Sequence, residues 1–182
     1  MKKIIVTLIV LLNFTVAKAQ KQTVVLKTGE RPKPVEGTYY KTPDNLINKV
    51  EGIWEYKNGN ETFKFEVKRK KRHLIKIGLD IYVDGLKARY CYNKKGDCTL
   101  VDNEINIRGE DDNPKDIFNN YVTFRFYDIV FDKFGKVRFT ILKDGTANWV
   151  LYNRGMGIKT PTSKPINLNF SVPIKMVLTK IK

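Results

Sequence analysis

The sequence predicts an all-β protein: an antiparallel, up-and-down barrel of about eight to ten strands with a short N-terminal helix. Two observations lead to this prediction. Beyond residue 50, apolar and polar residues alternate in successive short segments, which is the periodicity of strands with one buried face. The pairs Asn58-Gly59, Asp84-Gly85 and Asp144-Gly145 fall between such segments, and pairs of this kind are typical of hairpin turns.

The first 19 residues have the pattern of a secretory signal peptide. Lys2 and Lys3 precede an apolar run over residues 4–16, and Ala17-Lys18-Ala19 follows with small residues at the cleavage positions. The run is shorter than the roughly 20 residues that span a bilayer. We therefore expect cleavage after Ala19, a secreted or periplasmic location, and no transmembrane segment in the remaining chain.

The rest of the chain divides into an N-terminal extension, residues 20–41, and a single domain, residues 42–182. The extension contains the short apolar segment Thr23–Lys27, which either pairs with a sheet edge or stays mobile. A short helix is predicted over residues 42–49, with Thr42 as its N-cap and Pro43 at the first helical position.

Alternation of apolar and polar residues predicts the strands in chain order. The first spans Gly52 to Tyr56, and its hairpin partner follows Asn58-Gly59. Two further pairs of strands are expected to turn at Asp84-Gly85 and at Phe134-Gly135, and another turn is expected at Asp144-Gly145. The apolar segment over residues 174–181 would be the closing strand.

A helix followed by Gly52-x-Trp54 at the head of the first strand, and then by a meander of hairpins, resembles a lipocalin-like (calycin-type) barrel. It is also similar to small secreted bacterial domains of unknown function that share this layout. The resemblance covers residues 42–182 and implies that Trp54 plugs one end of the barrel. In lipocalins an arginine of the last strand packs over this tryptophan, whereas the present sequence offers Lys175 and Lys180.

Cys91 and Cys98 flank six residues that include a Lys-Gly-Asp turn, so the two can face each other across a hairpin. In an exported protein this arrangement predicts a disulfide, whose role would be structural. The competing interpretation, a metal site, needs more ligands than two cysteines and the single His73 provide.

Eight aromatic side chains are expected to point into the barrel: Phe63, Phe65, Tyr90, Tyr92, Phe124, Phe126, Phe139 and Trp149. They could line an apolar cup for a small lipophilic ligand, open at the wide end of the barrel. Alternatively they fill the interior, because an eight-stranded barrel is only just wide enough for its own side chains.

The chain is strongly basic, with a formal net charge of +15. Its densest basic run is Lys68, Arg69, Lys70, Lys71 and Arg72. This run could bind phosphate, sulfate or carboxylate groups of an envelope lipid or polysaccharide, or it could be a solvated hairpin tip. Export makes nucleic acid the least expected partner.

No residue pattern predicts catalysis, a cofactor or a metal site. His73 adjoins five cations that would lower its basicity, and the pair Glu55 and Glu66 is expected to face solvent. The acids between Asp102 and Asp116 lack the spacing of a calcium loop. Two functions remain: a carrier of one small lipophilic or amphiphilic ligand, which the resemblance favours, and an interaction module with a filled barrel and a basic binding face.

Overall fold

The computed structural model describes residues 22–28, 30, 32–76, 78–100, 107–109, 115–153 and 169–182. The predicted signal peptide lies outside these residues, as does the segment 154–168. The elements are β1 Thr23–Val25, β2 Tyr39–Lys41, α1 Asp44–Val50, β3 Gly52–Asn58, β4 Glu61–Lys76, β5 Asp80–Asn93, β6 Ile107–Gly109, α2 Lys115–Phe118, β7 Tyr121–Asp128, β8 Lys133–Ile141, β9 Ala147–Asn153 and β10 Lys175–Lys180. The described residues contain no helix long and apolar enough to cross a membrane.

All ten strands belong to one sheet, in the order β1-β2-β5-β4-β3-β10-β9-β8-β7-β6. An additional pairing joins β6 to β5, so the sheet curls until its far end returns to a strand near its beginning. From β3 to β10 each strand pairs antiparallel with its neighbour in the chain, and β10 pairs antiparallel with β3. The predicted all-β class is confirmed.

The sheet is mixed rather than wholly antiparallel, because β1 pairs parallel with β2 and β2 pairs parallel with β5. The segment Thr23–Lys27 was expected either to pair with a sheet edge or to stay mobile, and its residues Thr23–Val25 pair in this way. Leu26, Tyr40, Ile81 and Val83 form a small second core beneath these two strands. The N-terminal strands therefore extend the sheet and are packed against it.

The curled sheet has two different ends. One end, the base, carries α1, the start of β3 and the end of β10. The other end, the mouth, carries the turns β3–β4 and β7–β8 and the segment that follows β5. The directions of the antiparallel strands place these turns together.

Two of the predicted hairpin turns are confirmed and two are wrong. Asn58-Gly59 joins β3 to β4, and Asp144-Gly145 joins β8 to β9. Phe134-Gly135 is not a turn, because β7 ends at Asp128 and both residues lie within β8.

Asp84-Gly85 is not a turn either: β5 runs straight through it, and the chain reverses between Lys76 and Asp80. The reason is that Asp84 has buried partners. Its side chain is 0% exposed and accepts hydrogen bonds from Arg69 Nη2 at 2.6 Å, Tyr39 Oη at 2.6 Å and Thr42 N at 3.1 Å. These partners satisfy a charge that alone would favour a solvated turn.

The predicted helix exists but begins later than expected. It starts at Asp44 after Pro43, and Thr42 is buried rather than capping it. Its first turn is held by the Asp44 carboxylate, which pairs with Lys41 and Arg69.

Candidate functional site

Most of the predicted inward aromatic side chains form a solid core. Six of them are 0% exposed: Phe63, Phe65, Phe124, Phe126, Phe139 and Trp149. Phe65 is at the centre, with its ring 5.5 Å from Phe124, 5.2 Å from Phe139 and 5.2 Å from Trp149, each pair edge to face. Such pairs add to the free energy of burial itself.

The other two predicted residues, Tyr90 and Tyr92, line a cavity of about 560 Å³ at the mouth. Residues 90–94 at the end of β5 make one wall, residues 129–131 of the β7–β8 turn make the second, and residues 170–172 make the third. The volume lies within the range of roughly 300–1,000 Å³ that is usual for small-molecule sites. The structure thus brings together two predicted site residues with two segments that the sequence analysis did not select.

The floor of the cavity is the Phe170 ring, and it has room to lie there because residue 135 is a glycine. A Cβ atom at Gly135 would lie 2.8 Å from the Phe170 ring and 2.7 Å from Leu151. The Phe170 ring also lies 5.9 Å from Phe126, the nearest layer of the core. The missing side chain of Gly135 therefore leaves the space in which Phe170 separates the cavity from the core.

A buried carboxylate joins two walls of the cavity. Asp128, 0% exposed, accepts hydrogen bonds from the backbone N–H groups of Val130 at 3.0 Å and Phe131 at 3.2 Å. It also accepts from Ser171, at 2.6 Å from the backbone N–H and 2.7 Å from the hydroxyl. One side chain therefore fixes both the β7–β8 turn and the segment 170–172.

The wall formed by β5 is tied down by the predicted disulfide, which the structure confirms. Cys91 and Cys98 are bonded, with their Cα atoms 5.9 Å apart. The Lys64 ammonium adds a second tie, because it donates to Asp97 at 2.6 Å and to the Cys98 carbonyl at 3.1 Å. Lys64 holds Cys98, Cys98 is bonded to Cys91, and Cys91 lines the cavity. Both contacts therefore restrain the wall of the site.

The cavity combines an apolar rim with a few polar groups. Ile129, Val130 and Phe131 are exposed at the rim, while Asn93, Lys94 and Ser171 supply an amide, an ammonium group and a hydroxyl. Within the wall, burial and then the nearby Glu61 raise the pKa of Tyr92 above its ordinary value, so its hydroxyl stays neutral. This arrangement can hold an apolar group and orient one polar head, and it requires no covalent chemistry.

Lys133 adds a cation beside the floor. Its ammonium lies 4.0 Å from the centre of the Phe170 ring and 5.9 Å from that of Phe131. Burial lowers the pKa of Lys133, with Asp128 acting in the opposite direction. Lys133 thus places its amine against the face of the Phe170 ring, beside the cavity.

At the base lie Gly52 and Trp54, the two residues that the sequence analysis expects to anchor the barrel. Trp54 is 1% exposed and donates from its indole N–H to the Val50 carbonyl at 2.9 Å. The Lys180 ammonium lies 5.4 Å from the centre of the Trp54 ring and donates to the Asn48 carbonyl at 2.8 Å. A Cβ atom at Gly52 would lie 2.2 Å from the Lys182 carbonyl oxygen, so only glycine allows the C-terminal chain to pass there.

The basic run does not behave as one surface. The interpretation of the run as a hairpin tip is wrong, because β4 continues to Lys76 and the whole run lies within this strand. Arg69 turns inward, 8% exposed, to bind Asp84 and Asp44. The other four members, Lys68, Lys70, Lys71 and Arg72, are exposed.

The two carboxylates considered for catalysis are engaged in ion pairs. Glu66 is buried, not solvent-facing as expected, and pairs with Arg89 and Lys68. Burial alone would raise the pKa of Glu66, but hydrogen bonds from these two cations bring it below its usual value. Within the described residues, no group of three or more metal-ligating side chains occurs, and the acidic residues 102–112 lie outside them.

The sequence analysis missed the β7–β8 rim, because three apolar residues in a chain reversal have no periodicity that would indicate their role.

A family model described as a family of unknown function, DUF6705, matches residues 1–181 of the chain. No curated protein and no solved structure matches the chain.

Proposed function

The chain belongs to this family of unknown function, and from the site itself we propose that it binds one small lipophilic or amphiphilic ligand, non-covalently, at the mouth of a lipocalin-like barrel. The observation that carries the proposal is the cavity of about 560 Å³ between β5, the β7–β8 turn and residues 170–172. Its walls are held in place before any ligand arrives, by Asp128 on one side and by the Cys91–Cys98 disulfide on the other. Preorganised walls reduce the entropy lost on binding.

Two features of the fold support a lipocalin-like barrel. The sequential antiparallel order β3 to β10, with β6 returning to β5, is what an up-and-down barrel requires. At the base, Lys180 lies against the Trp54 ring in the place where the resemblance implies an arginine.

The position of the cavity defines what kind of ligand would fit. The aromatic core occupies the interior at the level of Phe65 and Phe126, so the ligand would enter only as far as Phe170. A shallow site with an apolar rim and Lys94 at its edge suits an amphiphile whose head stays near solvent.

Binding without catalysis is part of the proposal, because the carboxylates that could have acted as acid and base are committed to ion pairs with Arg89, Lys64 and Lys57. A secreted or periplasmic location is also proposed. The disulfide supports it, since such bonds persist in oxidising compartments.

The experiment is a fluorescence titration of the purified protein with 1-anilinonaphthalene-8-sulfonate, an amphiphilic dye with an aromatic body and an anionic sulfonate, followed by displacement with laurate. Val130→Asp places a carboxylate in the apolar rim, at a side chain that is 72% exposed. We expect it to weaken dye binding about tenfold or more, because the wall loses apolar contact worth about 1.5 kcal/mol and gains a like charge.

The matched control is Val177→Asp, which introduces the same change on the outer face of β10 at a valine that is 55% exposed. It should bind the dye as the wild type does. Failure of the wild type to bind the dye or laurate, or equal weakening by both substitutions, would contradict ligand binding at the mouth.

A further inference from the structure

The β7–β8 hairpin carries an apolar tip. In its turn, Ile129, Val130 and Phe131 are 48%, 72% and 43% exposed. Turns normally carry polar residues, since they face water. Three successive exposed apolar side chains in one turn therefore indicate a surface that contacts something other than water.

The tip is held in this orientation. Asp128 binds the backbone N–H groups of Val130 and Phe131, and it is itself buried and bound to Ser171. The backbone of the turn is therefore fixed, and Ile129, Val130 and Phe131 remain exposed where they border the cavity.

Behind the tip, the outer face of the same hairpin is aromatic and then basic. Tyr127 and Phe134 are directly opposite each other in the ladder, with their rings 4.9 Å apart. The next outward-facing pair along the ladder is Arg125 and Lys136, about 7 Å further from the tip at the usual rise of a strand. Along the hairpin the order of these residues is thus apolar, aromatic, cationic, and the Arg125 guanidinium reaches back to 5.9 Å from the centre of the Phe134 ring.

The charge of this face is positive. Residues 125–138 contain four cations, Arg125, Lys133, Lys136 and Arg138, and two acids, Asp128 and Asp132. Asp128 is buried, and Asp132 accepts a hydrogen bond from Tyr127 at 2.6 Å. The whole chain has a formal net charge of +15, so its long-range attraction is also to anionic surfaces.

We propose that the β7–β8 hairpin docks the protein on an anionic lipid bilayer. The tip would enter the boundary between headgroups and acyl chains, the aromatic pair would lie at headgroup level, and the cations would meet the lipid phosphates. The layered order matches the depth profile of a bilayer surface, which a protein partner would not require. The mouth cavity would then open towards the membrane.

The experiment measures sedimentation of the protein without residues 1–19, the expected signal peptide, with vesicles and without added ligand. Vesicles of equal parts phosphatidylcholine and phosphatidylglycerol should bind the wild type in a salt-sensitive manner, and pure phosphatidylcholine should bind it about tenfold less. Phe134→Asp and Lys136→Glu should each weaken binding about tenfold, and neither residue lines the cavity.

Matched controls lie elsewhere on the molecule. Val177→Asp, on the outer face of β10, and Lys143→Glu, in the turn between β8 and β9 at the base, should leave vesicle binding unchanged. Because the assay contains no dye or fatty acid, it can fail while ligand binding holds, and the converse is also true.

A fluorescence reporter gives the orientation. Trp54 and Trp149 are 1% and 0% exposed, so they respond little to vesicles, whereas Val130→Trp should shift to the blue when anionic vesicles are added. The proposal is overturned if the wild type ignores anionic vesicles or if the introduced tryptophan does not respond. It is also overturned if Lys70→Glu with Lys71→Glu, and not the hairpin variants, abolishes binding.

Discussion

Replacing Arg69 with methionine should destabilise the protein by about 3 kcal/mol, because it removes the cation that pairs with the buried carboxylate of Asp84. The side chains of Arg69 and Asp84 are 8% and 0% exposed, and they meet at 2.6 Å. Breaking a buried ion pair from one side usually costs about 3–5 kcal/mol. Asp84 would keep the donors Tyr39 Oη and Thr42 N, so we expect the lower end of that range.

The assay is equilibrium unfolding in guanidinium chloride, followed by the fluorescence of the buried Trp54 and Trp149. The double variant Arg69→Met with Asp84→Asn removes both charges and should regain half of the lost stability or more.

Arg72→Met is the matched control for this substitution. Arg72 is exposed, with its guanidinium 4.9 Å above the Tyr39 ring, a contact worth about 0.5–1 kcal/mol. Equal losses for Arg69→Met and Arg72→Met, or no recovery in the double variant, would refute the claim that Arg69 compensates Asp84.

Three further predictions concern the base, the N-terminal strands and the mouth. Gly52→Ala should cost at least about 3 kcal/mol of unfolding free energy, since its Cβ would lie 2.2 Å from a carbonyl oxygen, whereas Gly59→Ala, with open space around it, should cost about 1 kcal/mol by the same denaturant assay. Burial, followed by the hydrogen bond to Asp84, raises the pKa of Tyr39 to about 12. The stabilisation of the folded state that this raised pKa provides is therefore complete below the ordinary pKa near 10 and is lost as the pH rises towards 12. Tyr39→Phe should remove that part of the alkaline loss measured by thermal melting, and an unchanged difference between the two proteins from pH 9 to 12 would exclude it. Replacing Cys91 and Cys98 by serine should cost about 2 kcal/mol and weaken dye binding; loss of stability with unaltered binding would separate the disulfide from the site.

The sequence was most informative where a local pattern decides the structure. Strict alternation after Asn58-Gly59 predicted the first hairpin, and the spacing of Cys91 and Cys98 predicted the disulfide. Alternation also identified the aromatic side chains that form the core, because period-two patterning marks the inner face of a strand wherever that face is buried.

The sequence was misleading where a distant partner changes the meaning of a residue. Asp84-Gly85 resembles a turn, but Arg69 and Tyr39, 15 and 45 residues away in the chain, supply the bonds that keep Asp84 inside a strand. Arg69 resembles a member of a surface run for the same reason. Neither partner can be inferred from local spacing.

An apolar cup could be expected from the sequence, but the walls of the mouth cavity could not, because they come from three separate parts of the chain. Tyr90 and Tyr92 belong to the apolar–polar alternation of a strand, but residues 129–131 and 170–172 lie outside the strands and show no such alternation. Only the fold brings these two segments beside β5. A buried glycine, Gly135, and a buried carboxylate, Asp128, shape the site from below, and neither has a signature in sequence.

The central claim, that the mouth holds a small amphiphile, is tested most directly by methyl NMR spectra of the protein during titration with laurate. Methyl signals of Ile129, Val130 and Val172, which line the cavity, should shift together and saturate at one equivalent. The signals of Val177, on the outer face of β10, should stay in place. Unshifted cavity signals at saturating laurate, or shifts centred on Val177 instead, would contradict ligand binding at the mouth.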